Sequence, residues 1–246
     1  MTYCCGVLVR DGLVMIADTR TNAGLDNVST FRKLHIFSKP GDRIMAIASA
    51  GNLAISQSVL STLTEGLEDP HTGDIETLLN APTMFQAAQR IGRAIRAVHA
   101  TEGVALQSED INFDVSFLFG GQIKGSRMRL FMVYPAGNFI ECTTDTPYLQ
   151  IGEHKYGKPI LDRAARYDTD LYDGVKLALV SMDSTLRSNL TVGLPVDLLV
   201  YRRDALAVEL RRRITEDDDY FSMIRDAWSQ ALRDAYRAIP RPDWGT

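Results

Sequence analysis

The pattern of apolar and polar positions begins with two β-branched apolar runs that flank residues 10–12, Arg-Asp-Gly. Apolar runs around a short polar loop that contains glycine are typical of a β-hairpin. A three-residue loop would place Cys4 opposite Asp18, and strand alternation would then put both side chains on the face of Thr2. A two-residue loop would move Asp18 to the other face, so the shared face depends on the register.

The same pattern predicts the elements that follow the hairpin. Strands are expected at residues 31–37, 43–50, 113–121, 128–134, 138–143, 196–201 and 206–210, and helices after residues 51–52 and at 85–103, 158–167, 171–189 and 221–239. Many antiparallel strands with paired helices fit two stacked sheets that helices cover on each outer side. We therefore expect an α+β fold, with one domain over residues 1–210 and a helical extension over residues 211–246.

Composition narrows the class of protein. With 246 residues, 45% of them hydrophobic, the chain can bury a full core in one large domain. A formal net charge of −4 argues against nucleic acid as a partner. No uncharged apolar run approaches the roughly 20 residues of a membrane span, and no secretory signal is evident. The three cysteines, two of them adjacent on a predicted strand, fit a reducing cytoplasm.

Thr2 is the first candidate for chemistry because it directly follows the initiator Met1. Threonine is small enough for that methionine to be trimmed, which would leave Thr2 with a free α-amine beside its own hydroxyl. One residue would then carry both a nucleophile and a base. A small second residue is also common in proteins without this chemistry, so Thr2 gains weight only from its neighbours.

Lys33 is the second candidate. It lies in the predicted strand 31–37, on the face that also carries His35 and two phenylalanines. A lysine among aromatic side chains is rarely buried without a carboxylate, and Asp18 is the obvious partner. The alternative is a solvated face on an edge strand.

These residues belong to a larger motif. It comprises Thr2, Gly12, residues 17–20 (Ala-Asp-Thr-Arg), Gly24 and residues 28–33 (Val-Ser-Thr-Phe-Arg-Lys). The motif resembles the start of a proteasome β-type subunit, and most closely the bacterial proteasome-like Anbu family of N-terminal-nucleophile hydrolases. The resemblance implies an αββα four-layer sandwich in which Thr2 is the nucleophile and Asp18 and Lys33 are its charged partners.

The resemblance also implies that the backbone N–H of Ser49 binds the oxyanion. Ser49 lies where the predicted strand 43–50 thins to small residues before the next helix. Backbone N–H groups at a helix N-terminus favour a developing oxyanion, and small residues let a substrate backbone approach. A tight packing junction between strand and helix explains the same residues equally well.

The function implied by the resemblance is that of a threonine-type peptidase or amide hydrolase in the cytoplasm. It would act on peptide or protein substrates as a self-assembled homo-oligomer without a cofactor. No metal is expected, since the four histidines show no ligand spacing. Two alternatives stay open: an amidase or acyl-transfer enzyme of the same fold that acts on an isopeptide or non-peptide amide, and a catalytically inactive assembly subunit.

The sequence departs from the family pattern around the nucleophile. Glu153 stands where proteasome-like subunits carry a serine, and Ser188 stands where they carry an aspartate. A hydroxyl is retained at Thr191, and Asp183 is the carboxylate that could substitute for the lost one. The polar groups that tune the α-amine are therefore expected to differ.

The C-terminal extension contains a predicted amphipathic helix. After the acidic residues 216–219, an apolar stripe recurs at helical spacing: Phe221, Ile224, Trp228, Leu232 and Ile239. Acidic residues at a helix start suit the helix dipole. Such a stripe usually packs on the protein's own body, and its tryptophan also makes it a candidate subunit interface.

Overall fold

A computed structural model describes residues 2–22, 28–70 and 72–244 of the chain. The strands are β1 (Tyr3–Val9), β2 (Gly12–Asp18), β3 (Arg20–Asn22), β4 (Val28–Thr30), β5 (Leu34–Lys39), β6 (Arg43–Gly51), β7 (Leu67–Glu68), β8 (Ile75–Glu76), β9 (Val115–Ile123), β10 (Arg129–Val133), β11 (Phe139–Glu141), β12 (Tyr148–Gly152), β13 (Val196–Arg202) and β14 (Val208–Ile214). The helices are α1 (Leu53–Glu65), α2 (Met84–Ser108), α3 (Lys158–Ala164), α4 (Leu171–Ser188) and α5 (Asp219–Ala238), with a 3₁₀ turn at Leu78–Asn80. None of the helices in these ranges is long and apolar enough to cross a membrane.

The long strands form two antiparallel sheets that lie face to face. The first sheet has the order β12-β1-β2-β13-β14, and the second has the order β11-β10-β9-β6-β5. An apolar cluster between the sheets contains side chains from both, among them Cys4, Met15 and Leu199 from the first sheet and Ala46, Leu118 and Leu130 from the second. Helices α3, α4 and α5 cover the outer face of the first sheet, and α1 and α2 cover that of the second. The predicted α+β fold, an αββα four-layer sandwich, is confirmed.

The two strands that open the chain are buried along their whole length. Tyr3 and Ile16 point towards α4, whereas Cys4 and Met15 point into the space between the sheets. A strand that is covered on both faces appears in the sequence as a continuous apolar run. The position of β1 between β12 and β2 holds Thr2 at a fixed place.

The turn between β1 and β2 has two residues, so the predicted three-residue loop is wrong. Cys4 lies opposite Ala17 instead of Asp18, because Gly12 already pairs within β2. At Gly12 a Cβ atom would lie only 2.1 Å from the carbonyl oxygen of Tyr201 in β13. The glycine therefore permits the close approach of a neighbouring strand and does not provide a left-handed turn.

Strand β12 belongs to the first five-stranded sheet, and the sequence pattern did not predict it. It has five residues and pairs with β1 at the edge of the first sheet. The polar Gln150 in its middle and the short length hide it from a search for apolar periodicity. Because β12 pairs with β1, its C-terminal end lies beside the first residues of the chain.

The predicted domain limit at residue 210 falls inside β14. This strand continues to Ile214, and its three consecutive arginines at positions 211–213 pair with β13. β14 is the edge strand of its sheet, where charged side chains are common. The strand thus continues four residues past the predicted limit.

The apolar stripe of α5 is divided between the protein's own core and the surface. Phe221 and Ile224 are buried in the cluster that includes α4, and Trp228 packs against that cluster. Leu232 and Ile239 are 51% and 68% exposed. The first half of the helix belongs to the body of the protein, and the second half presents apolar side chains to solvent.

Candidate active site

Thr2 lies at the N-terminal end of β1 and is only 7% exposed. Its carbonyl oxygen accepts the backbone N–H of Glu153 at 2.8 Å. Gly152 allows this contact because its φ is +78° and because a Cβ atom there would lie 1.9 Å from the Thr2 carbonyl oxygen. The end of β12 therefore fixes the backbone of the candidate nucleophile. A glycine at this point was the sequence signal that could have revealed the contact.

Asp18 and Lys33 form a buried ion pair, which is the contact that the sequence predicted. Lys33 Nζ donates to Asp18 Oδ1 at 2.9 Å and to the carbonyl oxygen of Arg20 at 2.6 Å. Lys33 is 4% exposed and Asp18 is fully buried, so water screens the two charges only weakly. A solvated position for Lys33 is thereby excluded, and each charge depends on the other for stabilisation.

The Asp18 carboxylate also connects this ion pair to the backbone of the candidate nucleophile, Thr2. Since Cys4 lies opposite Ala17, the residue opposite Asp18 is Tyr3. Asp18 Oδ1 accepts the Tyr3 N–H at 3.1 Å, and this N–H belongs to the peptide group directly after Thr2. The site is therefore assembled through a backbone contact, although the strand face that Asp18 occupies is not the predicted one.

The protonation of Asp18 depends on its partners. Burial raises the pKa of this carboxyl above its usual value, and the Lys33 ammonium and the Tyr3 N–H oppose that rise. Removal of Lys33 would take away the charge that favours the ionised form. The neutral acid would then be favoured at a buried position.

Ser49 is buried and adjoins Lys33, but its backbone N–H is not free. The amide donates to the Lys33 carbonyl oxygen at 3.0 Å, next to the pairing of β5 with β6. The amide to which the resemblance assigns oxyanion binding is thus engaged within the sheet, and the oxyanion role of Ser49 stays a prediction. The strand pairing extends one residue beyond β5, and this extension uses the amide. A role for Ser49 in oxyanion binding requires its N–H to leave the Lys33 carbonyl.

The hydrogen bonds of Asp183 and Thr191 go to residues other than the candidate nucleophile, Thr2. Asp183 is buried and pairs with an arginine of its own helix and with Arg225 of α5, whose Nε lies 2.8 Å from Asp183 Oδ1. The Thr191 hydroxyl donates to Asn189 Oδ1 at 2.6 Å. Of the departures from the family pattern, Glu153 is the one with a direct hydrogen bond to Thr2.

Cys4 is a poor alternative nucleophile. Burial raises the pKa of its thiol, and the nearby Asp18 carboxylate raises it further. The attacking species would be the thiolate, which is scarce at neutral pH when the pKa is raised. Cys5 and Cys142 are also buried free thiols, each with a pKa raised to about 12 by burial.

Part of the predicted motif lies outside the described residues. Met1, Gly24 and half of the predicted loop at residues 21–30 fall there, and the short β3–β4 pair flanks this gap. Within the described ranges, no group of histidine, cysteine, aspartate and glutamate side chains is arranged to hold a metal ion.

Known structures resemble this chain over almost its whole length. A Gly-1 mutant of Anbu from Hyphomicrobium sp. strain MC1 is 49% identical, with a TM-score of 0.90 and coverage of 99% of this chain and 100% of that one. Anbu, the ancestral beta-subunit, from Yersinia bercovieri is 48% identical at a TM-score of 0.88, with the same coverage. The helical assembly of the Anbu complex from Pseudomonas aeruginosa is 46% identical at a TM-score of 0.89, covering 98% of each chain.

A curated relative is more distant. Proteasome subunit beta 1 of Pyrobaculum aerophilum is 27% identical over 210 residues, which cover 82% of this chain and 91% of the relative. No family model matches the sequence.

The sandwich fold, together with these relatives, defines a proteasome-like protein of the N-terminal-nucleophile superfamily. Sequence identity of nearly one half over almost the full length identifies the family within this superfamily. The chain belongs to the Anbu family.

Proposed function

We propose that this protein is a threonine-type peptidase that cleaves amide bonds with the hydroxyl of Thr2. The observation that carries the proposal is the double role of Asp18 Oδ1, which binds both Lys33 Nζ and the N–H that follows Thr2. A buried ion pair is costly to maintain. The hydrogen bond from this pair to the backbone next to Thr2, which can become N-terminal, supports a catalytic role for the pair.

In the proposed mechanism, the α-amine of Thr2 accepts the hydroxyl proton after removal of Met1. An α-amine has an ordinary pKa of about 7.7–8.0, and a nearby cation lowers the pKa of an amine. The Lys33 ammonium has three N–H donors, and Asp18 and the Arg20 carbonyl oxygen accept two of them. Lys33 would thus keep the amine unprotonated at neutral pH, while Asp18 keeps Lys33 charged and oriented.

In this mechanism the N–H of Ser49 binds the tetrahedral oxyanion, which requires that this N–H first leaves the Lys33 carbonyl oxygen. Its bond to the Lys33 carbonyl competes with an oxyanion for the same donor. An oxyanion donor contributes roughly 3–4 kcal/mol to transition-state stabilisation, whereas a typical neutral hydrogen bond contributes a net ~1 kcal/mol. The exchange is therefore favourable once negative charge develops on the substrate.

A second candidate is an assembly protein without turnover. The occupied N–H of Ser49 favours this alternative, because a site whose oxyanion donor stayed bound would bind substrate without cleaving it. The two candidates differ in whether peptide bonds are broken.

A panel of fluorogenic peptides and small amides separates these functions. We expect chain from which Met1 has been removed to release the fluorophore from at least one peptide, and the Thr2→Ala variant to release none. Release from small amides alone would identify an amidase instead. No release from any compound, by a chain that is shown to be trimmed and folded, would favour the assembly protein.

We further propose that the protein works as a homo-oligomer. The relative from Pseudomonas aeruginosa is described as a helical assembly. In this chain Leu232 and Tyr236 are exposed in the second half of α5, and Ile239 is exposed directly after it. Exposed apolar side chains on one helix are suited to contact another subunit.

Truncation after Gln230 tests the contribution of this helix end. We expect the shortened chain to remain folded, because Phe221 and Ile224 stay in the core, and to form a smaller species in light scattering. Leu232→Ala with Ile239→Ala should act in the same direction with α5 intact. An assembly of unchanged size in both variants would exclude this surface as a subunit contact.

A further inference from the structure

Glu153 occupies the position directly across from the candidate nucleophile. The register of β1 and β12 pairs Tyr3 with Gly152, so the next pair outward is Thr2 and Glu153. Glu153 directly follows β12, whose last residue Gly152 has a positive φ, so the contact between Thr2 and Glu153 is one between their backbones. The Glu153 N–H bond to the Thr2 carbonyl confirms that the pairing continues to this point.

Glu153 is partly buried, and one oxygen of its carboxylate has no hydrogen-bond donor in the part of the chain that the structure describes. Its side chain is 16% exposed, and Oε2 has no hydrogen-bond partner among the described residues. Lys155 Nζ lies 3.5 Å from Oε2, but Lys155 is 65% exposed and its ion pair is weak. A buried carboxylate oxygen without a donor is unfavourable, so a further donor near Oε2 would be stabilising.

Removal of Met1 would create such a donor. The Thr2 nitrogen has one peptide N–H in the chain that retains Met1, and the freed ammonium would have three N–H groups. We propose that Glu153 is a positioning residue whose carboxylate accepts a hydrogen bond from the α-amino group of Thr2 once Met1 has been removed. This inference rests on the proposed function in so far as it requires a free Thr2.

The proposed contact has a consequence for the chemistry of the amine. A carboxylate within a few ångströms favours the ammonium form and opposes the effect of Lys33. The other titratable or charged groups around Thr2 and Glu153 are Asp18, Lys33, Cys4, His154 and Lys155. Cys4 stays neutral near pH 7 because burial raises the pKa of its thiol. Glu153 therefore sets the pH at which the Thr2 amine becomes a base.

The test is a direct titration of the Thr2 amine that does not require turnover. Trimmed chain is labelled with a trace of an amine-acylating reagent across a pH series, and acylation of Thr2 is quantified by peptide mass spectrometry. We expect Glu153→Gln to lower the midpoint of the Thr2 amine titration by about one pH unit. Below that midpoint, the variant would then have about ten times more free amine than the wild type. Glu153→Ser, which also removes the charge, should lower the midpoint in the same way.

Asp145→Asn is the matched control. It removes an exposed carboxylate near the opposite end of β12 and should leave the midpoint unchanged. Equal midpoints in the wild type, Glu153→Gln and Glu153→Ser, with thermal melts that show all three folded, would overturn the inference. Reaction with a threonine-directed β-lactone is measured on the same samples. A shifted midpoint without any adduct would contradict the proposed function alone, and an adduct with an unshifted midpoint would contradict the inference alone.

Discussion

Lys33→Ala is expected to lower kcat by at least about 10²-fold, the lower end of what general-base assistance contributes. The reason is that the Lys33 ammonium opposes the rise that burial causes in the pKa of Asp18 and would depress the pKa of the Thr2 amine. The measurement is the rate of cleavage of a peptide substrate by trimmed chain. Lys158→Ala, which removes an exposed lysine paired with Asp162, is the matched control and should retain the wild-type rate.

A loss of activity in Lys33→Ala must be separated from a loss of folding. Breaking a buried pair from one side costs about 3–5 kcal/mol when the remaining charge has no partner. The double variant Lys33→Ala with Asp18→Asn removes both charges and should recover most of the free energy of unfolding, while remaining inactive. Near wild-type kcat in Lys33→Ala, or recovered turnover in the double variant, would contradict the assigned mechanism.

Retention of Met1 is expected to lower turnover by about 10²- to 10⁴-fold, the range that general acid–base assistance provides. With Met1 attached, the Thr2 nitrogen is a peptide N–H and has no basic lone pair. His35 does not offer a substitute, because its Nε2 is engaged with the Arg32 carbonyl oxygen at 3.2 Å.

The comparison uses two samples of one sequence that differ only in processing. Treatment with a methionine aminopeptidase should convert inactive chain into active chain, with a gain in rate that follows the fraction trimmed by intact mass. A variant with a bulky residue at position 2, such as Thr2→Leu, retains Met1 and should not respond. Equal rates before and after trimming would show that the α-amine is not the base.

The architecture could be predicted from the sequence because strand and helix patterns depend on burial alone. The continuous apolar runs of β1 and β2 reflect their cover on both faces. The spacing of Ile55, Val59 and Leu63 reflects the buried face of α1. Such patterns are local, so they can be recognised without knowing which elements pack against each other.

The register could not be predicted, because it depends on a distant residue. Gly12 looked like a turn glycine, whereas its actual constraint is the Tyr201 carbonyl oxygen of β13. A shift of one position moves every side chain of a strand to the other face. The Asp18–Lys33 contact was nevertheless predicted correctly, because a buried lysine needs a carboxylate whatever the register.

The main-chain hydrogen bonds around the site also could not be predicted from the sequence. The Ser49 amide is used because strand pairing extends one residue past β5 to Lys33. The role of β12 became visible only through its pairing with β1, which brings Gly152 and Glu153 against Thr2. Both facts concern hydrogen bonds between main-chain groups, which side-chain identity specifies only weakly.

The most direct measurement is the intact mass of the protein after incubation with a threonine-directed β-lactone. Trimmed chain should gain the mass of one inhibitor molecule, located on Thr2 by peptide mapping. Chain that retains Met1 and the Thr2→Ala variant should gain none, and Thr2→Ser should gain part of the label. Equal labelling of trimmed and Met1-retaining chain, or an adduct on Cys4, would contradict the assignment of Thr2 as the nucleophile.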